Sequence, residues 1–308
     1  MSAALPPYRI NAQLSAAALA FGVIQLFAVP LVLLPGADVL AIAVVLLLSF
    51  TTPFHRALLH EAIHGRLVGR KGWNDRLGRA LAIWSGIAFD AIRFGHLAHH
   101  RFPRHALDRA DVIEPGKNPI AARFNYFLGL FGGLYLREIL GTVFMLLPRR
   151  AITGMLDYSF AAEEPTNAVL RDAFQRNLGR RIARIRIDAV LIILIHAAAF
   201  YLYGEWWPLL LTAITLRGLI VSLQDNVPHY GTPAVIGAPA HNSSAPRWVG
   251  LLMLNLNLHG VHHDRPELPW NVLPGAFEGA GRGYAGSYVA LLLKQLRGPR
   301  RSGAIARP

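Results

Sequence analysis

The strongest constraint on the fold is a stretch near the N-terminus that carries no charged side chain. Residues Asn11 to Ala37 are uncharged over 27 positions, and about 20 apolar residues are enough to cross the hydrocarbon core of a bilayer as a helix. The whole chain has a mean hydropathy of +0.35 and only 16% charged residues, against about 25% in ordinary soluble domains. The sequence therefore predicts an integral membrane protein.

Two pairs of apolar segments are predicted to form four transmembrane helices arranged as two hairpins. The hairpin tips contain no lysine or arginine, whereas the connection from Arg149 to Arg186 carries eight arginines. Because cytoplasmic loops are enriched in basic residues, we expect both termini on the cytoplasmic side, in a bacterial inner membrane. The four segments are Asn11–Ala37, Val39–Leu58, Ile187–Tyr203 and Pro208–Gln224.

Two further apolar stretches are predicted to lie in the membrane interface or to dip part-way. Ala80–Phe94 is too short to cross comfortably, and Phe124–Leu147 is interrupted by Arg137 and Glu138. Charges at the centre of a span cost several kcal/mol, so the second stretch is not expected to cross. The predicted fold class is an all-α integral membrane protein with interfacial helices and a cytoplasmic cap formed by histidine-rich segments.

The predicted domain organisation is simple. We expect residues 1–10 to be a cytoplasmic segment, residues 11–280 to form the membrane domain, and residues 281–308 to be an amphipathic or disordered tail. The tail prediction rests on the arginine- and proline-rich end, RGPRRSGAIARP.

Charge and cysteine content narrow the function classes. The formal charge is +13, which suits either nucleic acid or an anionic membrane surface, and the apolar runs favour the membrane. The chain contains no cysteine, so disulfides, thiolate metal sites and cysteine-ligated iron–sulfur clusters are excluded.

Three histidine-rich boxes are the main candidates for chemistry: HEAIH from His60, HLAHH from His96 and HGVHH from His259. Histidines at i, i+3 and i+4 share one face of a helix, and Asp225 and His229 lie at the end of the last predicted span. The topology predicts that all of them meet at one membrane face. Nine histidines exceed the ligands of one metal, and imidazole suits iron, zinc, copper and nickel. The pattern therefore predicts two metal ions.

Two other classes use similar residues. HEAIH also has the H-E-x-x-H form of a zinc protease, but that function leaves seven clustered histidines unexplained, and no Asp-Gly pair supplies the further ligand motif. A metal permease should place its ligands at mid-bilayer, whereas these boxes lie at the predicted cytoplasmic ends. Both classes are less favoured than a two-metal enzyme.

The three boxes in this order, with DNVPHYG before the last, resemble the membrane-bound fatty acid desaturase and hydroxylase superfamily over roughly residues 10–275. The resemblance implies a non-haem diiron centre that uses O2 and two external electrons to cleave an unactivated C–H bond in a lipid chain. It also implies a separate electron donor of the ferredoxin, rubredoxin or cytochrome type. The metal ligands carried over from the resemblance are His60, His64, His96, His99, His100, His229, His259, His262 and His263.

The reaction type is less tightly specified than the family. Asp225 stands where acyl-CoA desaturases have asparagine, and it is the candidate for a tenth ligand, direct or through water. The segment PHYG resembles alkane and xylene hydroxylases, and HHDRPELPW resembles both bacterial desaturases and carotenoid ketolases. Desaturation of a fatty-acyl chain is favoured, with hydroxylation or ketolation of a lipid, alkane or carotenoid as the alternative.

Two sets of residues are expected to support the centre. Carboxylates can orient the ring N–H groups of metal-bound histidines, and aromatic side chains can line a substrate tunnel. The carboxylate candidates, besides Asp225, are Asp90, Asp108, Asp111 and Asp264, and the aromatic candidates are Trp84, Phe94, Trp248 and Trp270.

Overall fold

The computed structural model describes residues 7–160 and 165–302, and the described chain is mostly helical. Four helical stretches, Tyr8–Leu33, Asp38–Ile63, Pro119–Phe144 and Thr166–Asn226, are long and apolar enough to span a membrane, as expected of an integral membrane protein. The α-helices are α1 (Tyr8–Val23), α2 (Asp38–Ser49), α3 (Thr52–Ile63), α4 (Lys71–Trp84), α5 (Phe89–Arg101), α6 (Pro119–Leu128), α7 (Leu134–Phe144), α8 (Arg149–Ser159), α9 (Pro165–Tyr203), α10 (Trp207–Asn226), α11 (Arg247–Leu252), α12 (His259–Asp264), α13 (Leu273–Gly279) and α14 (Tyr288–Lys294). Four two-residue strands, β1 (Val112–Ile113), β2 (Ser243–Ser244), β3 (Gly286–Ser287) and β4 (Arg300–Arg301), form two parallel pairs, β1 with β4 and β2 with β3.

The first membrane-spanning candidate, Tyr8–Leu33, changes from an α-helix to a π-helix along its length. Helix α1 continues directly into wider π-helical turns over Ile24–Leu33, which contain Pro30. Proline has no N–H and its ring clashes with the carbonyl four residues earlier, so the regular α-helical pattern cannot continue through this position. The start of α1 at Tyr8 falls inside the predicted N-terminal segment 1–10, of which residues 1–6 lie outside the described part.

The chain reverses direction between α9 and α10. Tyr203 donates to the backbone oxygen of Gln25 at 2.6 Å, and Arg217 donates to the side-chain oxygen of the same residue at 2.9 Å. Tyr203 and Arg217 are 14 positions apart and would lie about 21 Å apart on an uninterrupted helix, so their contact with the same residue requires the chain to turn back. A single 3-10 turn, Gly204–Trp206, makes the reversal, and Gly204 has a φ of 51°, a conformation that glycine adopts readily.

Helices α6 and α7 both pack against the C-terminal half of α10, and the chain turns back between them. Between them, Gly132 has a φ of 104°, and the helical path breaks there. Helices of 10 and 11 residues are each about 15 Å long, which is about half of a hydrocarbon core of about 30 Å. The contacts that mark the path are Tyr126 with Asn226, Gly132 with Gly218, and Tyr135 with Ser222.

The predicted interfacial segment Ala80–Phe94 is not one helix. It is divided between the end of α4 and the start of α5, with Gly86 at a φ of 74° in the turn. Helix α4 packs closely on the helices that carry the first two boxes. A Cβ atom added to Gly78 would lie 2.6 Å from Phe89 and 2.7 Å from Ala62, so the absence of a side chain sets this approach.

Residues 281–302, which belong to the segment predicted as an amphipathic or disordered tail, are folded in the structure. Gln295 is fully buried, accepts a hydrogen bond from Asn226 at 2.8 Å and donates to the backbone oxygen of Leu223 at 3.1 Å. These bonds fix the segment to the end of α10, which explains its order. Residues 303–308 of the predicted tail lie outside the described part.

Candidate metal centre

The structure brings all nine predicted histidines together in two adjacent groups. They come from α3 and the residue after it, from α5, from the turn after α10, and from α12. Within each group, one ligand nitrogen from every histidine lies within 4.8 Å of the others. The five-histidine group is His60, His64, His96, His100 and His262, and the four-histidine group is His99, His229, His259 and His263.

The nitrogen spacing within the five-histidine group matches binding to a common ion. The Nε2 atom of His96 lies 3.0 Å from the Nε2 atoms of His64 and His100. The Nε2 atom of His100 lies 3.0 Å from that of His262. Imidazole nitrogens bind metals at about 2.1 Å, and two ligands at right angles around one ion then stand about 3.0 Å apart.

The four-histidine group has the same spacing. The Nε2 atom of His99 lies 3.2 Å from that of His229 and 3.1 Å from that of His263, which in turn lies 3.1 Å from His259. A neutral imidazole offers one donor and one acceptor, so three such nitrogens converging on one point cannot all be paired by hydrogen bonds among themselves. A cation at that point would accept all their lone pairs.

Several ring nitrogens have no other use within the described chain. His60 is buried, and neither of its nitrogens has a hydrogen-bond partner among the described residues. The Nδ1 atoms of His100 and His229 also have no partner there, but the Nε2 atom of each ring is the one that faces its group, so it is His60 whose unpaired nitrogens indicate a ligand. Burying an unsatisfied polar atom costs about 1–3 kcal/mol, so the arrangement is costly unless a ligand binds. The donor set therefore fits two metal ions.

Electrostatics keep most of these rings neutral. Burial, reinforced by repulsion from neighbouring histidines, lowers the pKa of His96, His229, His259 and His262 well below its ordinary value. The same causes lower the pKa of His100 to about 3. Since metals bind the unprotonated imidazole, these side chains are available as ligands at neutral pH.

Among the nine histidines of the two groups, His99 is the one for which the described structure shows a carboxylate partner. Burial alone would lower its pKa, but Asp108 accepts a hydrogen bond from Nδ1 at 2.6 Å and raises the pKa of His99 above its ordinary value. This bond fixes the ring so that Nε2 faces the four-histidine group.

The other three predicted carboxylate supports have different partners. Asp90 pairs with arginines that include Arg79, Asp111 pairs with Arg104, and Asp264 pairs with Arg282. Of these four aspartates, only Asp108 has a histidine of the metal groups as its hydrogen-bond or ion-pair partner in the described structure. Sequence position did not separate them, because each lies within a few residues of a box or of another charged residue.

A cavity of about 290 Å³ borders both histidine groups, and Asp225 lies in its wall. Asp225 is not part of either histidine group, and its role as a tenth ligand, direct or through water, stays a prediction. Beside it, Arg56 makes two hydrogen bonds to Glu138, at 3.0 and 3.2 Å. In the sequence, each of these two residues stands out as a charged residue within an apolar stretch. The apolar part of the wall includes Leu59, Ile63, Ile92, Val221, Met253 and Leu256.

The four predicted tunnel aromatics do not border this cavity. Trp84 packs against Arg217, and Phe94 makes an edge contact with Phe174. Trp248 is 71% exposed. The remaining one, Trp270, packs against the core and donates its ring N–H to Asn11 at 2.9 Å. The prediction was wrong because nearness in sequence to a box does not set the direction of a side chain.

Comparison with the sequence models of known families identifies the family of this chain. The sequence model of the family described as fatty acid desaturase matches residues 37–292, a range that contains all nine histidines. The chain belongs to the fatty acid desaturase family. This confirms the resemblance carried by the three boxes and indicates a lipid desaturase- or hydroxylase-type oxidoreductase. No curated protein and no solved structure matched this family member.

Proposed function

We propose that this member of the fatty acid desaturase family is an O2-dependent oxidoreductase that holds two iron ions and desaturates a fatty-acyl chain. The observation that carries the proposal is the pair of adjacent histidine groups beside one cavity. Imidazole is a suitable ligand for iron, and the family supplies the choice of iron over zinc or copper.

The proposed reaction balances with an external reductant. A CH2–CH2 unit, O2, two electrons and two protons give a CH=CH unit and two molecules of water. The two irons, when bound, would supply the redox chemistry that cleaves the C–H bonds. The sequence contains no cysteine for an iron–sulfur cluster, so the electrons are proposed to come from a separate ferredoxin, rubredoxin or cytochrome-type protein.

The residues of the chain have separable roles in this proposal. Neutral imidazoles bind the metal, and Asp108 holds the ring of His99 in place. Apolar residues such as Leu59 and Val221 keep bulk water out of the cavity, which protects a reactive oxidant from side reactions. Arg56 and Glu138 neutralise each other in the same wall.

We propose a topology with four spans: Tyr8–Leu33, Asp38–Ile63, the C-terminal half of α9, and α10. The reversal at Gly204 and the path of α6 and α7 along one end of α10 support it. The arginines of the connection after α7 support a cytoplasmic position for that side, in a bacterial inner membrane. The metal centre then lies at the cytoplasmic face.

A second candidate is hydroxylation or ketolation at the same centre, favoured by the PHYG segment around His229. Hydroxylation converts C–H, O2, two electrons and two protons into C–OH and one water. The position of Glu61, which would be the general base of a zinc protease, argues against that function. That side chain is buried, takes a hydrogen bond from the Trp270 backbone and does not border the cavity.

Metal analysis and lipid profiling test the proposal together. Purified protein should contain about two irons per chain, and His262→Ala should lower both iron content and product, because it removes a ligand. His196→Ala is the matched control, since its ring bonds to the Ile192 carbonyl and lies outside both groups. Cells that express the protein should accumulate unsaturated lipid only in air. A hydroxylated product would select the second candidate, and one zinc with O2-independent activity would refute both.

A further inference from the structure

The cavity beside the histidine groups has a wall rich in hydrogen-bond acceptors. Three lining residues, Gln224, His241 and Asn257, each have a buried side-chain oxygen or nitrogen without a hydrogen-bond partner among the described residues. Those atoms are Gln224 Oε1, His241 Nε2 and Asn257 Oδ1. The Asp225 carboxylate borders the same space.

Two donor side chains near this wall, those of Arg56 and Asn257, are already engaged. Arg56 directs both of its terminal nitrogens to the Glu138 carboxylate, and Asn257 donates its Nδ2 to the Ser243 carbonyl at 2.8 Å. The Tyr288 hydroxyl also borders the cavity and can donate one hydrogen bond. The unpaired acceptors of the wall outnumber this donor. A ligand made only of hydrocarbon would bury these acceptors without partners, which is unfavourable, whereas a ligand with an O–H or N–H group would satisfy one or more of them.

Charge selects among the possible donors. An ammonium group would be repelled by two metal cations held by neutral imidazoles, and an ionised carboxylate has no hydrogen to donate to these acceptors. A hydroxyl is neutral and donates one hydrogen bond. The cavity volume of about 290 Å³ is at the small end of ligand pockets, about 300–1,000 Å³, so it suits a short part of a lipid rather than a whole long chain.

We propose that the cavity binds the hydroxyl-bearing part of a lipid substrate, with the hydroxyl donating to Asp225. Gln224 and Asn257 offer further acceptors along the same wall. The proposal deepens the proposed function, on which it rests, by naming the substrate class as a hydroxylated chain. Asp225 is then a specificity-determining residue.

Two isomeric probes test this directly: 1-octanol and heptyl methyl ether have the same atoms, but only the alcohol can donate a hydrogen bond. Binding is measured by equilibrium dialysis of the labelled probes against iron-loaded protein in nanodiscs, with empty nanodiscs subtracted. We expect the protein to retain 1-octanol about tenfold more strongly than the ether, because a hydrogen bond to a carboxylate is among the stronger ones. Asp225→Leu should remove most of this preference. Asp172→Leu is the matched control, since Asp172 is exposed on α9.

Equal retention of the two isomers by wild-type protein would overturn the proposal and would mean that water alone satisfies the wall. A preference that survives Asp225→Leu in folded protein would also overturn it. If that variant does not fold, Asp225→Asn should show a reduced preference, because the acceptor loses its charge. Iron content and O2 uptake of the same preparation test the proposed function separately. Two irons, C–H oxidation and no alcohol preference would reject only this inference.

Discussion

At the scale of single residues, Asp108 gives the sharpest test of the centre. Replacing it with Asn keeps the size of the side chain but weakens the hydrogen bond to His99 Nδ1, which is 2.6 Å long. Loss of such a partner commonly costs 10- to 100-fold in metal affinity or activity. We therefore expect Asp108→Asn to lose iron faster than wild type during dialysis against a chelator, as followed by iron analysis.

The control for this variant is Asp157→Asn, because Asp157 is exposed on α8 and far in sequence from the boxes. It should keep iron as the wild type does. Equal iron retention by Asp108→Asn and Asp157→Asn would show that the carboxylate does not support His99.

The stability of metal-free protein should fall in acid. Burial lowers the pKa of several histidines of the centre, to about 3 for His100, whereas a histidine of the unfolded chain binds a proton near its ordinary pKa of 6.5. Between these two values the unfolded state binds more protons, so stability is fully present above pH 6.5 and is lost progressively as the pH falls. His99 opposes the trend, because its pKa is raised.

Thermal unfolding of the metal-free protein, measured between pH 7.5 and pH 4, checks this expectation. The midpoint should decrease steadily below pH 6.5. A midpoint that stays constant over this range, or rises as the pH falls, would contradict the description of these histidines as buried and neutral.

The sequence predicted the ligands at this scale better than it predicted the cavity. Histidines at i, i+3 and i+4 carry their geometry within one helical turn, so the nine rings could be named from spacing and family resemblance. The pairing of Arg56 with Glu138 joins residues 82 positions apart, and no local pattern contains it. Likewise, the wall position of Asp225 depends on how α10 packs.

At the scale of elements, Gly78 sets how closely α4 approaches α3 and α5. A methyl group there would meet Phe89 and Ala62 at less than 3 Å. Overpacking of this kind costs about 1–3 kcal/mol, more than the gain of up to about 1 kcal/mol from replacing glycine with alanine in a helix. Gly78→Ala should therefore lower the thermal midpoint and loosen metal binding.

Gly154→Ala provides the matched control, since Gly154 lies inside α8 with open space around its Cα. It should leave the midpoint unchanged or raise it slightly. The two variants differ only in what surrounds the added methyl group, so a fall of equal size in both would refute the close-packing explanation.

The elements that sequence reasoning missed depend on distant contacts. Residues 281–302 belong to the segment predicted as an amphipathic or disordered tail, and the bonds of Gln295 to residues about 70 positions earlier are not visible in any local pattern. The break at Gly86 also divides a segment that hydrophobicity alone presents as continuous. By contrast, long apolar runs identify α1, α2 and α10 directly, because each segment that crosses a bilayer must be apolar by itself.

At the scale of the whole molecule, the metal centre joins segments that are far apart in the chain. Its histidines lie between residues 60 and 263 and come from α3, α5, the end of α10 and α12. Two irons can bind only if all four segments end on the same side of the membrane. The topology is therefore a condition for the proposed chemistry, and it can be tested without measuring activity.

The absence of cysteine from the sequence makes single-cysteine labelling of intact cells a clean test of this topology. An impermeant maleimide should label Gly36→Cys and Glu205→Cys, which lie in the two predicted outer turns. It should not label Lys117→Cys or Arg150→Cys, because in the proposed topology α6 and α7 turn back at Gly132 and leave both of their ends inside. Opening the cells should make these last two positions reactive, which controls for burial. Labelling of Arg150→Cys but not Lys117→Cys in intact cells would mean that Pro119–Phe144 crosses the membrane, and the arginine-rich connection would then lie outside.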